Sequence, residues 1–520
     1  MKLSSFQKGF VVILLAFIVF GGIIFVNRIL YADAFGKEEA QHALYALWLT
    51  KDLKSLDWGS FWYDTQRQMF WPFFHSWILS IFFLLFGASY ISARLLSFLI
   101  FFATLVLMYI ISNRFSEKAG WKIGLLSVFL ALSSPMMVRF AAENTLEGLG
   151  ALIFLAAYYL YLVSEAKWLT IYYVFLGILV GLSIYTNYLY AYFMIPAFIV
   201  VALGKLGPTL VEVRKLSRQG EKAAYPFLWW AYRKLIFLVA LFLVASAWFF
   251  TSTFSRKILL FLQATLRYTG GEAVGGFWQN LLFYPKAIIQ NYAFSPWLGV
   301  LIVISLFLPF IAFRYLQLGK LYTFIWTVLI LATLTIPSRA PQFIYIIAPF
   351  LFMVFSAAVF YLSEKTKQYA GVILFILFVP LLISLPGLAK LYFPARPAEN
   401  MVKVLDYFHL GVLPRYPIAS AVNLQHLNNE VIAFHFWGWN APVLADPVMG
   451  EEEIFRNARY FLTVELDPGS PYASEVLDDS LFRWNAFLLE KRQAGDLRDY
   501  SMRRFSDIGL TAKIYEKTAR

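Results

Sequence analysis

Residues 10–42 read FVVILLAFIVFGGIIFVNRILYADAFGKEEAQH, a long apolar run followed at once by an acidic cluster. The run from Phe10 to Val26 carries no charge, and Lys2 and Lys8 precede it. Ala32-Asp33-Ala34 has the Ala-x-Ala form of a signal cleavage site, but the run is longer than the roughly 7–15 residues of a signal core. It therefore reads as a retained membrane helix that delivers Asp33, Glu38 and Glu39 to the membrane surface. Ionisable groups at such a place are costly to keep without a task.

The rest of the chain repeats that first run. Of 520 residues, 60% are hydrophobic, 19% aromatic and only 14% charged, far more apolar than a soluble core accommodates. The chain reads as an α-helical polytopic membrane protein. Further runs near 20 apolar residues fall at about 91–112, 122–138, 146–164, 169–185, 188–204, 234–252, 296–316, 319–337, 341–363 and 369–390. Pro72 to Phe86 is shorter, opens on proline and holds His75 and Ser76, so a span and an interfacial helix both fit it. Charge decides between them. If 72–86 does not cross, Arg114, Lys118, Lys122, Lys167, Arg214, Lys215, Arg233, Lys234, Arg314, Lys320 and Lys365 share a side with Lys2 and Lys8. If it crosses, they move outside, against the positive-inside rule.

The expectation is thus about 11 spans in the plasma membrane, with a cytoplasmic N-terminus and the outer loops and C-terminal region extracytoplasmic. The formal charge of +13 follows from that loop bias and not from nucleic-acid binding. Zero cysteines exclude a disulfide framework and thiolate metal sites, and five histidines supply an imidazole site poorly. There is no P-loop, dinucleotide fingerprint or repeat.

The outer segments hold the promising polar groups. Ala40, Ala43, Leu44, Leu47 and Trp48 lie one helical turn apart, with Gln41, His42 and Lys51 off that stripe. This predicts an interfacial helix with Glu38 and Glu39 at its N-terminus, where the helix dipole favours negative charge. Capping and catalysis both account for the acids. A second acidic stretch, Ala142-Glu143-Asn144-Thr145-Leu146-Glu147, opens the helix near 146. Glu143 and Glu147 share a helical face, with Arg139 one turn earlier as a partner.

These residues match a family. Glu38-Glu39-Ala40-Gln41-His42-Ala43 resembles the Asp-Glu-x-x-Tyr-Ala stretch of polyprenyl-phosphate-dependent glycosyltransferases with the GT-C fold, among them the protein O-mannosyltransferases and lipid A aminoarabinose transferases. The resemblance continues through Trp71-Pro72-Phe73-Phe74, Phe86-Gly87, Ser92-Ala93-Arg94-Leu95-Leu96-Ser97, Arg114-Phe115, Ser134-Pro135, Ala142-Glu143-Asn144 and Gly181-Leu182 to Asn187. It covers about the first 200 residues by motif and the remaining spans by hydropathy. Glu38 stands where the family usually has Asp, Glu143 where Asp is common, and Asn187 where a phosphate-binding Lys is frequent. The extra methylene of Glu38 requires a backbone set back to compensate, and the missing Lys moves phosphate binding to other cations.

The resemblance implies transfer of a sugar from a prenyl-phosphate donor to an extracytoplasmic lipid, glycan or protein. Such transfer needs a base for the acceptor proton and cations for the departing phosphate, and a carboxylate near a low-dielectric interface has its pKa raised toward that use. Glu38 is the candidate base, with Glu39 and Glu143 positioning acceptor or sugar. Arg267, Arg339 and Arg94 are candidate phosphate ligands, with His42, Asn144 and Asn187 as further positioning groups. Metal dependence is open: transfer from a monophosphate donor does not demand a metal, while three outer acids offer oxygen ligands of the kind a divalent cation takes. The 253–295 loop, with Gly270-Gly271, Gly275-Gly276, Phe277-Trp278 and Tyr284-Pro285-Lys286, suits either a lid or an aromatic interfacial anchor.

Beyond about residue 390 the pattern becomes mixed. Strands are expected at 419–422, 431–434, 443–444 and 460–464, with helices near 398–408 and 451–457, giving a transmembrane domain at 1–390 and a small extracytoplasmic α/β domain at 391–520. Phe434, Phe436, Trp437 and Trp439 suit a packed cluster better than a carbohydrate platform. Two alternatives stand beside the transferase: a lipid or glycan transporter, which predicts charges at mid-membrane, and a non-catalytic assembly subunit on the same scaffold.

Overall fold

The computed structural model describes residues 4–68, 72–167, 170–203, 211, 214–215, 221–247, 277–308, 316–336, 339–365, 384–394, 398–413, 416–437, 443–444 and 451–518. Packing divides the chain into two compact units. The helical unit comprises 1–28, 57–78 and 94–393; the mixed unit comprises 29–56, 79–93 and 394–520.

Helices dominate up to residue 393. They are α1 (Ser5–Leu30), α2 (Lys37–Ser55), α3 (Trp58–Gln66), α4 (Phe74–Phe86), α5 (Tyr90–Ser112), α6 (Gly120–Ser133), α7 (Pro135–Ala142), α8 (Leu146–Lys167), α9 (Thr170–Thr186), α10 (Tyr188–Leu203), α11 (Glu221–Ala247), α12 (Phe277–Ala287), α13 (Pro296–Ser305), α14 (Leu316–Leu334) and α15 (Ala348–Lys365). Among the described residues, α1, α5, Leu146–Ser164 and Pro341–Ser363 are each long and apolar enough to cross a membrane. The α6–α7 pair forms a fifth such segment, bent by 69°.

That bend divides the apolar run expected at 122–138 at Ser134-Pro135. Pro135 has no N–H to give and its ring excludes a continuing turn, while the Ser134 hydroxyl accepts from Met137 N–H at 3.4 Å and starts a new helix. The ambiguous segment 72–86 yields α4, 13 residues long, about 20 Å against a hydrocarbon core of about 30 Å. Most of the expected run at 369–390 lies outside the described residues.

Within the helical unit, α9 packs along both α8 and α11. Gly177 and Gly181 make the second contact close: a Cβ on Gly177 would lie 2.6 Å from Ala240 Cβ, and one on Gly181 would lie 2.6 Å from Val244 Cγ1. Small residues four apart let helices approach where lipid removes the hydrophobic drive for association. The Tyr185 hydroxyl donates to Val244 C=O across the same seam at 2.5 Å. Phe154, Tyr158, Phe198, Phe324 and Phe350 interlock in mostly edge-to-face pairs and tie α8, α10, α14 and α15 together.

The mixed unit is built on α16 (Met401–Gly411), β1 (Ile418–Ala419), α17 (Asn429–His435), β2 (Val443–Leu444), α18 (Glu451–Asn457), β3 (Tyr460–Leu466), α19 (Ser480–Gln493), β4 (Leu497–Phe505) and β5 (Leu510–Lys517). The sheet order is β2-β1-β3-β5-β4, with β2, β1 and β3 parallel and β3, β5 and β4 antiparallel. Central β3 is buried on both faces over Tyr460–Val464, as its continuous apolar reading requires. Trp484 of α19 is fully buried and donates its indole N–H to Leu462 C=O at 3.0 Å. Edge strand β4 carries Arg498, Asp499, Arg503 and Arg504 and an irregularity at Asp499/Ser501, features that discourage pairing with another chain.

Residues 431–434, expected as a strand, form α17 instead. Asn428 caps that helix by accepting from Val431 N–H at 3.1 Å, and a local cap with an apolar face against α2 outweighs the β-branched propensity of Val431 and Ile432. Phe434 and Phe436 are buried; Phe434 packs on Phe35 and Tyr90. Trp437 is partly exposed, and Trp439 lies outside the described residues.

Candidate functional site

The first acidic cluster belongs to the mixed unit. Helix α2 opens at Gly36, and Glu39 Oε2 accepts from Gly36 N–H at 3.0 Å, closing the backbone half of a capping box. Glu39 is buried, whereas Glu38, one residue earlier on the next face, is exposed. Thus capping accounts for Glu39 and leaves Glu38 facing outward. The helix is less amphipathic than the sequence implies: His42 and Asp52, off the apolar stripe, are buried too, because α2 packs on α17 within the unit.

Asp33 anchors the segment before α2. Its Oδ1 accepts from Ala34 N–H and from Met401 N–H, both at 2.8 Å, and its Oδ2 accepts from the Tyr472 hydroxyl. Burial and the Asp33 charge push the Tyr472 phenol well up, so it remains a donor. Gln425 lies against Gly36, where a Cβ would come within 2.9 Å of its amide nitrogen. Beside it, His426 Nδ1 is 2.8 Å from Glu475 Oε2. Burial alone would lower that imidazole, but the Glu475 hydrogen bond and the charges of Glu475, Asp33 and Glu39 raise it above its ordinary value. Sequence reasoning missed His426, Glu475 and Tyr472, which carry no local motif.

The second acidic cluster belongs to the helical unit. Glu143 ends α7 and accepts from Arg139 Nε at 2.8 Å, the partner expected one turn earlier. Arg28 adds a second positive charge near it. Asn144 is fully buried next to it. Glu147, in the first turn of α8, is electrostatically coupled to the phenols of Tyr190, Tyr292 and Tyr345. Two of these are fixed by backbone: the Tyr292 hydroxyl donates to Pro341 C=O at 2.6 Å and that of Tyr190 to Gln342 C=O at 3.1 Å.

The remaining candidates fall in the same unit with different jobs. Asn187 accepts from Leu189 N–H at 3.0 Å and Tyr190 N–H at 3.3 Å, capping α10 and orienting Tyr190 toward the Glu147 group. Arg339 is buried and donates to Asn280 C=O at 2.5 Å and Thr333 C=O at 2.9 Å, next to Tyr284, which in turn neighbours Tyr292. Arg94 is buried near the start of α5. Arg267 lies outside the described residues, as do positions 253–276 of its loop; the rest of that loop, with Trp278, Tyr284, Pro285 and Lys286, opens with the helix α12. Among the described residues no three His, Asp or Glu side chains converge as a cation site would need.

Comparison with solved structures places this architecture. ArnT from Cupriavidus metallidurans bound to undecaprenyl phosphate superposes with a TM-score of 0.59 over 98% of both chains at 16% identity. The chain has the GT-C fold. The apo form of that protein gives a TM-score of 0.57 over the same shares at 16% identity. The oligosaccharyltransferase of Archaeoglobus fulgidus, in complex with Zn and sulfate, gives 0.53 over 87% of this chain and 67% of its own at 12% identity. In sequence, residues 71–217 match the family described as dolichyl-phosphate-mannose-protein mannosyltransferase. No curated protein matches the chain. The family resemblance read from the motifs stands, and a GT-C fold makes this a multi-pass membrane protein.

Proposed function

We propose that this chain is a glycosyltransferase of the plasma membrane that moves a sugar from a polyprenyl-phosphate-linked donor to a hydroxyl of an extracytoplasmic lipid, glycan or protein. The observation that carries this reading is the pair at the start of α2, where Glu39 caps the helix and Glu38 is exposed. A fixed helix N-terminus holding an outward carboxylate is what a positioned base requires. The family match over 71–217 and a solved GT-C relative bound to undecaprenyl phosphate support the donor class.

In this reading Glu38 takes the proton of the acceptor hydroxyl as its oxygen bonds to the anomeric carbon. The bond from that carbon to the phosphate oxygen breaks, and polyprenyl phosphate leaves. Arg339, Arg94 and Arg267 are the proposed cations for the phosphate charge. Glu39 fixes the backbone that carries Glu38, and Glu143, His42, Asn144 and Asn187 line or orient the sugar and acceptor sites. This reading puts the N-terminus in the cytoplasm and the site outside, as the positive-inside rule requires.

A non-catalytic assembly subunit is the second reading, and one observation favours it: Asn187, at the family's phosphate-lysine position, spends its amide oxygen on capping α10. Both are tested by profiling envelope glycans and lipid-linked sugars in a deletion strain complemented with wild type or Glu38→Gln. Loss of one sugar from one glycan in the mutant, at equal membrane abundance, supports the transferase and identifies its product. A wild-type profile from Glu38→Gln overturns it in favour of the subunit.

A further inference from the structure

We propose that His426, held by Glu475, is a positioning residue for the first-loop acids: as an imidazolium it balances Asp33 and Glu39 and keeps segment 33–39 in the conformation that exposes Glu38. The inference rests on the transferase reading for its consequence, but its geometry stands alone.

Contacts within the mixed unit carry it. Asp33 is tied to Met401 N–H at 2.8 Å and to the Tyr472 hydroxyl, both far along the chain. Gly36, whose N–H is capped by Glu39, has Gln425 against it. Gln425 N–H donates to Glu475 C=O at 3.1 Å, and His426, the next residue, meets the Glu475 carboxylate at 2.8 Å. The rings of His426 and Tyr472 lie 6.5 Å apart, so the groups on Asp33 and on Glu475 close around one another. Residues 424–426 and 471–475 therefore form a cradle for the loop that precedes α2.

Charge explains why a histidine belongs there. Asp33, Glu39 and Glu475 put three carboxylates within electrostatic reach of one ring. His426 is the group on which all three act, each raising its affinity for a proton. Charged groups at this end also include Glu38, Lys37, which acts on Asp478, and Asp478 itself, which accepts from Asn423 at 2.6 Å and Ser480 N–H at 2.8 Å. The sign is fixed: the His426 contribution is complete below the ordinary imidazole value and is lost as pH rises through the elevated one.

The test is an NMR titration of the full-length protein in detergent, with histidine labelled at Cε1 and the His426 signal assigned by its absence in His426→Gln. The expected midpoint lies above the ordinary histidine value of about 6.5 and falls by about half a unit or more in Glu39→Gln, which keeps the capping oxygen but removes the charge. Equal midpoints in wild type and Glu39→Gln would overturn the proposal. The glycan-profile assay supplies the positioning readout. His426→Gln should cut complementation at least about threefold and His426→Lys, a cation at all working pH values, should restore it. Retention of full function by the near-isosteric Gln with loss in Lys would make the role one of packing and overturn the proposal. If instead Glu38→Gln keeps a wild-type profile, the transferase reading fails while the titration still decides the coupling.

Discussion

The two acidic segments look alike in sequence and differ in what surrounds them. Both sit at helix starts, Glu38-Glu39 in the first turn of α2, Glu143 between α7 and α8, and Glu147 in the first turn of α8. At the first, one carboxylate caps the helix and its neighbour is exposed. At the second, Glu143 is paired with Arg139, and Glu147 faces tyrosines. A helix N-terminus attracts carboxylates in either case, so the pattern alone does not separate a cap from a base. The partners differ: at the first, Gly36 N–H donates to Glu39, and at the second, Arg139 meets Glu143.

This contrast breaks most sharply on catalysis. Glu38→Gln should lower transfer by at least about 10²-fold, as loss of a general base does, while Glu143→Gln should lower it by about tenfold or less. Equal losses, read as the ratio of glycosylated to unglycosylated acceptor by mass spectrometry, would dissolve the distinction. Arg339→Gln comes next. It removes two buried bonds to Asn280 and Thr333 carbonyls and should destabilise the helical unit by about 1–3 kcal/mol, seen as a lower midpoint in thermal unfolding in detergent. Arg339→Lys restoring stability without restoring transfer would sharpen its assignment to the donor phosphate.

Smaller effects test the caps. Glu39→Ala should cost about 0.5–2 kcal/mol through the lost capping oxygen, and Glu39→Gln should recover most of it. Proteolysis near residues 33–39 is the measurement, with faster cleavage in Ala than in Gln. The smallest effect is expected at Arg139→Ala. That pair has side-chain exposures of 58% and 30%, so its loss should change stability by less than about 1 kcal/mol. A larger drop in thermal midpoint would show that Glu143 depends on Arg139 more than a surface pair does.

Much of the architecture was legible locally. Apolar runs marked α1, α5, α8 and the 341–363 segment, because a membrane span must satisfy its own backbone and present apolar side chains in one continuous stretch. Ser134-Pro135 announced a boundary, and the structure turns it into a 69° bend. Reading failed where several local signals compete. Val431 and Ile432 suggested a strand until the Asn428 cap and the α2 contact made a helix. Strand β4 went unread because this exposed edge strand carries Arg498, Asp499, Arg503 and Arg504 and little apolar signal, and β5 was missed although Leu510, Ala512 and Ile514 alternate on its buried face. His42 lies off the apolar stripe of its helix, yet it is buried.

The sequence by itself determined the solvent this protein lives in, the run of its helices and the placing of Glu38, Glu39, Glu143 and Glu147 at helix starts. Composition, periodicity and capping are properties of adjacent residues. Only the tertiary structure decided which carboxylate is consumed and which is presented. Asp33 finds Met401 N–H 368 positions away, and Tyr472 lies 439 positions away. Contacts at such separations leave no trace in a local pattern, because they are selected by packing and charge balance among segments that meet only once the chain has folded.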